Sequence, residues 1–222
     1  MTDIAILILT ALALGALHSF APDHLAAVSV FVSRKPSWRN ALGLGARWGM
    51  GHSLTVVLVG GVLALSGLQL PERFESLTER VVGVVLVALG MFAISRAIRL
   101  HGHWHDHEGK HHWHLHTHRT SEGHEHDHGA LMGIGMLHGL AGTGALVVAL
   151  PVAIGGSRTG ALIFLIAFGL GTILSMSLFS AAAGWLLSTT TSVSSNMHRG
   201  AIVVAGLLSV AVGIWWIVSG GV

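Results

Sequence analysis

Two imidazoles, a carboxylate and a proline share one apolar stretch of this chain: His18-Ser19-Phe20-Ala21-Pro22-Asp23-His24. Ionisable groups at membrane depth are costly unless they pair or bind something, so such a cluster marks a functional site. The chemistry within reach is cation binding. Imidazole suits Ni, Cu, Zn and Co, and a carboxylate either ligates the ion or orients a ligating histidine. Pro22 lacks a backbone donor, and its ring clashes with the carbonyl four residues back, that of His18. The helix is therefore expected to bend or open between the two histidines. In an unbroken helix His18 and His24 would stand about 240° apart at ~100° per residue, and the adjacent Asp23 and His24 would diverge.

Two further histidines lie in apolar stretches, each among glycines. His52 sits in Gly49-Met50-Gly51-His52-Ser53, where small residues let helix backbones approach closely. His138 opens Gly135-Met136-Leu137-His138-Gly139-Leu140-Ala141-Gly142-Thr143-Gly144, whose glycines permit an unwound segment. Non-helical backbone at that depth is tolerated where it lines a cavity or is buried in protein. The candidate metal set is thus His18, Asp23, His24, His52 and His138. His198, beside Arg199, reads as interfacial.

The elements that must hold these residues follow from composition. Of 222 residues, 52% are hydrophobic and 10% charged, and the mean hydropathy is +0.70. Soluble domains carry about 25% charged residues, so the pattern is that of an integral membrane protein. With no cysteine, thiolate ligation and disulfides are excluded. The net charge of +2 and the lack of a basic, aromatic-laced surface argue against nucleic acid. The start, Met1-Thr2-Asp3, lacks the basic region of a signal peptide, so the first stretch is expected to be a retained span.

Six stretches are long enough to cross a bilayer: 4–32, 41–68, 77–100, 130–154, 160–187 and 199–218. Short-loop Lys and Arg, including Arg34, Lys35, Arg39, Arg96, Arg99, Lys110 and Arg119, put the odd-numbered loops in the cytoplasm and both termini outside. The halves also match. Gly15-Ala16-Leu17-His18-Ser19-Phe20-Ala21 aligns with Gly135-Met136-Leu137-His138-Gly139-Leu140-Ala141, and Trp48-Gly49-Met50-Gly51-His52 with Phe168-Gly169-Leu170-Gly171-Thr172, both at an offset of 120 residues. At a slightly longer offset Gly83 and Gly90 match Gly206 and Gly213. Three spans per half would make the repeats inverted, a transporter architecture with its site near the midplane. The expected fold is all-α and polytopic: about six transmembrane helices in two inverted three-helix repeats, 1–100 and 130–222, with broken helices at the site.

Between the halves, 101–129 is the one long polar segment. It carries His101, His103, His105, His107, His111, His112, His114, His116, His118, His124, His126 and His128, with interspersed acids. Such a composition cannot bury a core and is expected to be unstructured without a ligand. Alternating histidines in extended chain lie close enough to share a divalent ion, which makes the loop an auxiliary metal-collecting segment.

The His18-x4-Asp23-His24 element, followed by Gly51-His52-Ser53, resembles the signature of the nickel/cobalt transporter superfamily. The short form, with His138-Gly139-Leu140-Ala141-Gly142-Thr143-Gly144 opening the second half, is most similar to its small urease-accessory-type and nickel/cobalt efflux members. The resemblance implies an inner-membrane permease for Ni2+ or Co2+ in which His18, Asp23, His24 and His52 contact the metal. It covers the whole hydrophobic body. The chain departs from the eight-span importers in span number, and Ala21-Pro22 stands where importers tend to carry another acid, so their selectivity does not carry over. The histidine-rich loop is similar to that of efflux members.

Alternating access at a midplane site is the expected mechanism, with imidazoles replacing hydration and Asp23 offsetting charge. Neutral imidazole binds metal, so protons are expected to compete. No resident cofactor and no enzymatic activity are expected: there is no H-E-x-x-H, and glutamate is absent from span interiors. The partners expected are the lipid bilayer and divalent metal ions, with nickel-enzyme maturation factors or a second copy of the chain as further candidates. The competing readings are a membrane metallochaperone or sensor supplying an enzyme such as urease or hydrogenase, and a transporter of another small ion such as sulfite. The carboxylate in the cluster weighs against an anion, as does the position of Arg47, the only basic candidate near a span, at the cytoplasmic end of its stretch.

Overall fold

A computed structural model describes residues 2–33, 36–68, 70–99, 101–107, 110–116, 126–142, 157–193 and 195–219, with side chains in 4–33, 36–68, 70–99, 129–142, 157–189 and 196–219. The described helices are α1 (Thr2–His18), α2 (Pro22–Val32), α3 (Trp38–Ser66), α4 (Glu72–Arg99), α5 (His126–Ala141), α6 (Arg158–Val193) and α7 (Ser195–Ser219). Four of them, α3, α4, α6 and α7, are long and apolar enough to cross a membrane, and α1 with α2 makes a fifth if the bent pair is one span. The expected stretch 130–154 falls partly on α5, and its remainder, with Thr143 and Gly144, lies outside the described residues.

Each helix begins and ends for a local reason. Pro22 occupies the first turn of α2, where its missing donor costs nothing. The His18 carbonyl, which Pro22 cannot serve, accepts from the Ala21 amide at 3.0 Å instead. The result is the expected break, with α1 and α2 inclined by 63°. Helix α3 starts after Ser37 in extended backbone and ends at Gly67, whose φ of 71° is the left-handed conformation that glycine alone adopts freely. In α4, Glu72 and Glu75 occupy the first turn and Arg96 and Arg99 the last, complementing the helix dipole. Helix α6 runs for 36 residues, past the expected end at 187. No proline or glycine follows Gly184 within it. At 1.5 Å per residue it is about 54 Å long, well over the ~30 Å hydrocarbon thickness, so it must tilt or project beyond it.

In lipid, helices associate through close packing and interhelical hydrogen bonds rather than hydrophobic burial. Helix α3 packs on α6 and α5, α1 on α6, and α4 on α7. Glycine makes these approaches possible. A Cβ at Gly15 would collide with the Phe168 carbonyl, and one at Gly135 with the Trp48 carbonyl. Gly51 lies against the Met132 carbonyl, and Gly171 against that of Leu12. Gly49 abuts Ile173 and Gly169 abuts Ser53, while Gly83 meets Gly213 and Gly90 meets Gly206. In each pair of contacts, both partners of one are shifted by the same offset to give the other. Side chains bridge the same seams: Ser53 Oγ donates to the Gly169 carbonyl at 2.9 Å, Ser175 Oγ to Ala16 at 3.1 Å, and Ser209 Oγ to Leu86 at 2.8 Å.

The segment between the halves is not featureless. Strands His101–His107 and Lys110–His116 pair antiparallel as β1 and β2, with His101 opposite His116, His103 opposite His114 and His105 opposite His112. A period-two alternation of histidine with other residues suits extended pairing, which the expectation of an unstructured loop overlooked. The loop side chains, and His118 and His124 entirely, lie outside the described residues.

Candidate metal centre

The break after α1 is what builds the site. His18 ends α1, while Asp23 and His24 sit in the first turn of α2, so the 63° bend brings the two imidazoles together. Their Nε2 atoms are 3.2 Å apart and their rings meet edge to face at 4.7 Å. Two nitrogens bound side by side to one metal at about 2.1 Å each lie roughly 3.0–3.4 Å apart, so this pair already stands at chelating distance.

Asp23 and His24 were expected to diverge in intact helix, yet Asp23 Oδ2 accepts from His24 Nδ1–H at 2.7 Å within the first turn of α2. The carboxylate therefore holds the proton on Nδ1 and leaves His24 Nε2 an acceptor, which takes the His18 Nε2–H at 3.2 Å and can take a cation in its place, the arrangement that orients metal-binding histidines. Asp23 is 2% exposed and His24 3%. A carboxylate so deep in the protein needs compensating charge or hydrogen bonds, and His24 supplies one of them.

Helix α3 brings the third imidazole. His52 is fully buried, with its ring 5.3 Å from His18 and 5.1 Å from His24. One nitrogen from each of His18, His24 and His52 lies within 4.8 Å of the others, the one such histidine and acid cluster among the described residues. Close approach of α5 to α3, through Gly135 and Gly139, brings His138 alongside. Its Nδ1–H donates to the Ile134 carbonyl at 2.9 Å, so its lone pair is on Nε2. The His138 ring is 5.6 Å from that of His24.

Both ring nitrogens of His52 and Nε2 of His138 are buried without a hydrogen-bond partner in the protein. Leaving a buried polar atom unsatisfied costs about 1–3 kcal/mol each, so orphans gathered at one point signal a site built for something polar. The indole N–H of Trp48, stacked on His52, is also without a partner, so the set combines donors with lone pairs, and the lone pairs on His138 Nε2 and on one His52 nitrogen can take an electron-pair acceptor such as a metal cation.

Sequence reasoning brought together His18, Asp23, His24, His52 and His138, and the structure places all five in one cluster, with His18 half-buried and the other four buried. It missed Trp48. That indole is fully buried, stacks on His52 at 5.3 Å and 12°, and touches His24 at 4.7 Å and His138 at 5.5 Å. Trp48 and His52 are four apart on one helix, the spacing of stacked neighbours, so the signal was available. On the opposite wall Phe168 lies 5.4 Å from His18. Beneath the break, Thr172 Oγ1 donates to the Gly15 and Phe168 carbonyls at 3.2 and 3.0 Å, and Ser19 Oγ donates to the Thr172 carbonyl at 3.3 Å. His198 is not part of the site; it is 5% exposed, and Arg199 beside it donates to the Ala97 carbonyl.

Comparison with known proteins places these residues in context. Residues 25–215 match the family model described as cytochrome C biogenesis protein transmembrane region, a match that begins immediately after His24. The chain is 30% identical over 210 residues to the urease accessory protein UreH of Bacillus sp. (strain TB-90), covering 94% of this chain and 89% of that one. It is 28% identical over 174 residues to the chloroplast protein FOR GROWTH AND FERTILITY 1 of Arabidopsis thaliana, covering 77% of this chain and 47% of that one. No solved structure matches the chain.

Proposed function

We propose that this chain, which belongs to the cytochrome C biogenesis protein transmembrane region family, carries a divalent transition-metal ion, most suitably Ni2+ or Co2+, across a membrane. The observation that supports the reading best is the cluster of His18, His24 and His52, whose ligand atoms lie within 4.8 Å of one another while both His52 nitrogens have no protein partner. As a multi-pass membrane protein with such a cluster between its helices, the chain has the ingredients of a permease rather than of a surface chelator. The relative named a urease accessory protein ties the reading to nickel, the metal of urease. It also supports reading the chain as a small urease-accessory-type member of the nickel/cobalt transporter superfamily.

The architecture proposed is two inverted three-span repeats, the second opening with α5. The reciprocal glycine contacts, each reproduced by the residues one repeat away, support it. The cargo sheds water to His18, His24 and His52 in turn. Asp23 compensates part of its charge through His24, and the halves rock about the site to expose it to either side. The histidine-rich hairpin gathers metal on the cytoplasmic side and does not conduct it. No covalent chemistry is required of the protein.

Metal accumulation measured in cells with and without the chain, across Ni2+, Co2+ and Zn2+, tests this directly. A change in cellular Ni2+ or Co2+ that His24→Ala abolishes is the expected result, and its sign gives the direction of transport. Unchanged accumulation together with reduced activity of a nickel enzyme on deletion would instead support a metallochaperone, the reading that the accessory-protein relative favours next.

A further inference from the structure

We propose that His138 is an exchange ligand: as the site changes the side it faces, the ion leaves the His18 imidazole for that of His138, while His24 and His52 hold it throughout. The inference rests on the permease reading above and adds to it the order in which the imidazoles act.

Four imidazoles line the cluster, but only three of them, His18, His24 and His52, offer nitrogens within 4.8 Å of one another among the described residues. His138 stands just outside. It is nevertheless prepared as a ligand, since its Nδ1–H is held by the Ile134 carbonyl and its Nε2 is buried with no partner. A residue that served packing alone would not keep an unsatisfied lone pair beside three other imidazoles, at a cost of about 1–3 kcal/mol.

His18 and His138 also occupy equivalent places. His18 lies against Phe168 at 5.4 Å and His138 against Trp48 at 5.5 Å, and both partners of the first contact are one 120-residue offset from those of the second. The backbones beneath repeat the relation, Gly15 against the Phe168 carbonyl and Gly135 against that of Trp48. Between these two positions stands His24, 4.7 Å from His18 and 5.6 Å from His138. Movement of one half against the other that lengthens the first contact and shortens the second hands the ion from His18 to His138. The third nitrogen on the ion then comes from the opposite half, and coordination number is kept throughout. His52 has no histidine counterpart, and neither does His24, since Thr172 and Gly144 stand at those positions. These two must therefore serve both states.

The test compares Ni2+ equilibrium binding to the purified full-length chain, the number of imidazole nitrogens on bound Ni2+ by X-ray absorption, and Ni2+ flux into proteoliposomes. For His138→Ala the expected result is binding within about threefold of the unmodified chain, an unchanged imidazole count, and flux reduced at least ~10-fold; for His18→Ala it is binding weakened ~10–100-fold at an unchanged imidazole count, because His138 then supplies the third nitrogen. His138→Gln, which fills the same space with a polar group, should reproduce the flux defect and serves if the alanine variant fails to fold. A lower imidazole count in both His138 variants would make His138 a simultaneous ligand and overturn the exchange. Flux at the unmodified rate in both would reduce it to packing and overturn it equally. If the unmodified chain itself neither binds nor moves Ni2+, the permease reading falls first and the exchange with it.

Discussion

The break after α1 and the end of α5 carry related sequences and different chemistry. In the first, His18 ends a helix, Pro22 starts the next, and Asp23 and His24 fill its first turn. In the second, His138 lies in the last turn of α5, which ends at Ala141 with the Gly142 amide on the His138 carbonyl at 3.1 Å. Both are framed by the same glycine-to-carbonyl contacts, Gly15 on Phe168 and Gly135 on Trp48. Yet the carboxylate and two of the three clustered imidazoles come from the first break, and the second contributes one pre-oriented imidazole. A shared scaffold thus carries a lopsided site. One carboxylate compensates half the charge of a divalent ion, whereas two would bind it strongly enough to hinder release and would repel each other when the site is empty.

This asymmetry can be broken from either side. The largest expected effect is at the charged break. Asp23→Ala leaves His24 Nδ1–H buried without its acceptor and should weaken Ni2+ binding ~10–100-fold, whereas Thr143→Ala at the matching sequence position should leave binding within about twofold. Titration of the purified variants with Ni2+ measures both. Next come the framing contacts, where the halves should respond alike. Gly15→Val and Gly135→Val each drive a side chain into a carbonyl across a helix seam, at a cost of about 1–3 kcal/mol or more, and should lower the thermal midpoint in detergent by similar amounts. A large drop for one alone would show that the two seams are not equivalent. Deleting 101–128 should raise the Ni2+ concentration for half-maximal flux severalfold with little change in maximal rate, as expected of a collector that is not the path. Smallest is Thr172→Ala, which removes hydrogen bonds to the Gly15 and Phe168 carbonyls but no imidazole; it should cost about 1 kcal/mol of stability and leave binding intact.

Much of the candidate site was legible without coordinates, because its residues are of types that apolar spans rarely carry. Histidine and aspartate among leucines and alanines are conspicuous, and Pro22 located the break by its missing donor. Trp48 was not recognised as part of the site, since an aromatic in an apolar helix is unremarkable until a ring is found stacked on His52. The role of Asp23 was left between ligand and orienting acceptor, and the 2.7 Å bond to His24 Nδ1 favours the second. The strand pairing of β1 with β2 was missed because composition reports solvation, whereas pairing depends on register, which a count of histidines does not carry. The apolar span expected at 160–187 agrees with the structure's 158–189 to within a few residues, and the helix runs on to Val193 because its serines and threonines lower hydropathy without breaking it.

The sequence by itself determined which groups are available and where the backbone must yield: an apolar chain without cysteine, imidazoles spaced around a proline, and glycines at matched offsets. Those properties are local, since a missing amide hydrogen or a missing Cβ acts wherever it sits. Only the tertiary structure decided which of these groups meet. His52 and His138 approach the His18–His24 pair because α3 and α5 can come close at Gly51, Gly135 and Gly139, and ligand distance depends on that approach to within an ångström. Hydrogen bonding decided the rest: Asp23 and the Ile134 carbonyl each fix an imidazole proton, and so determine which nitrogen is left to bind.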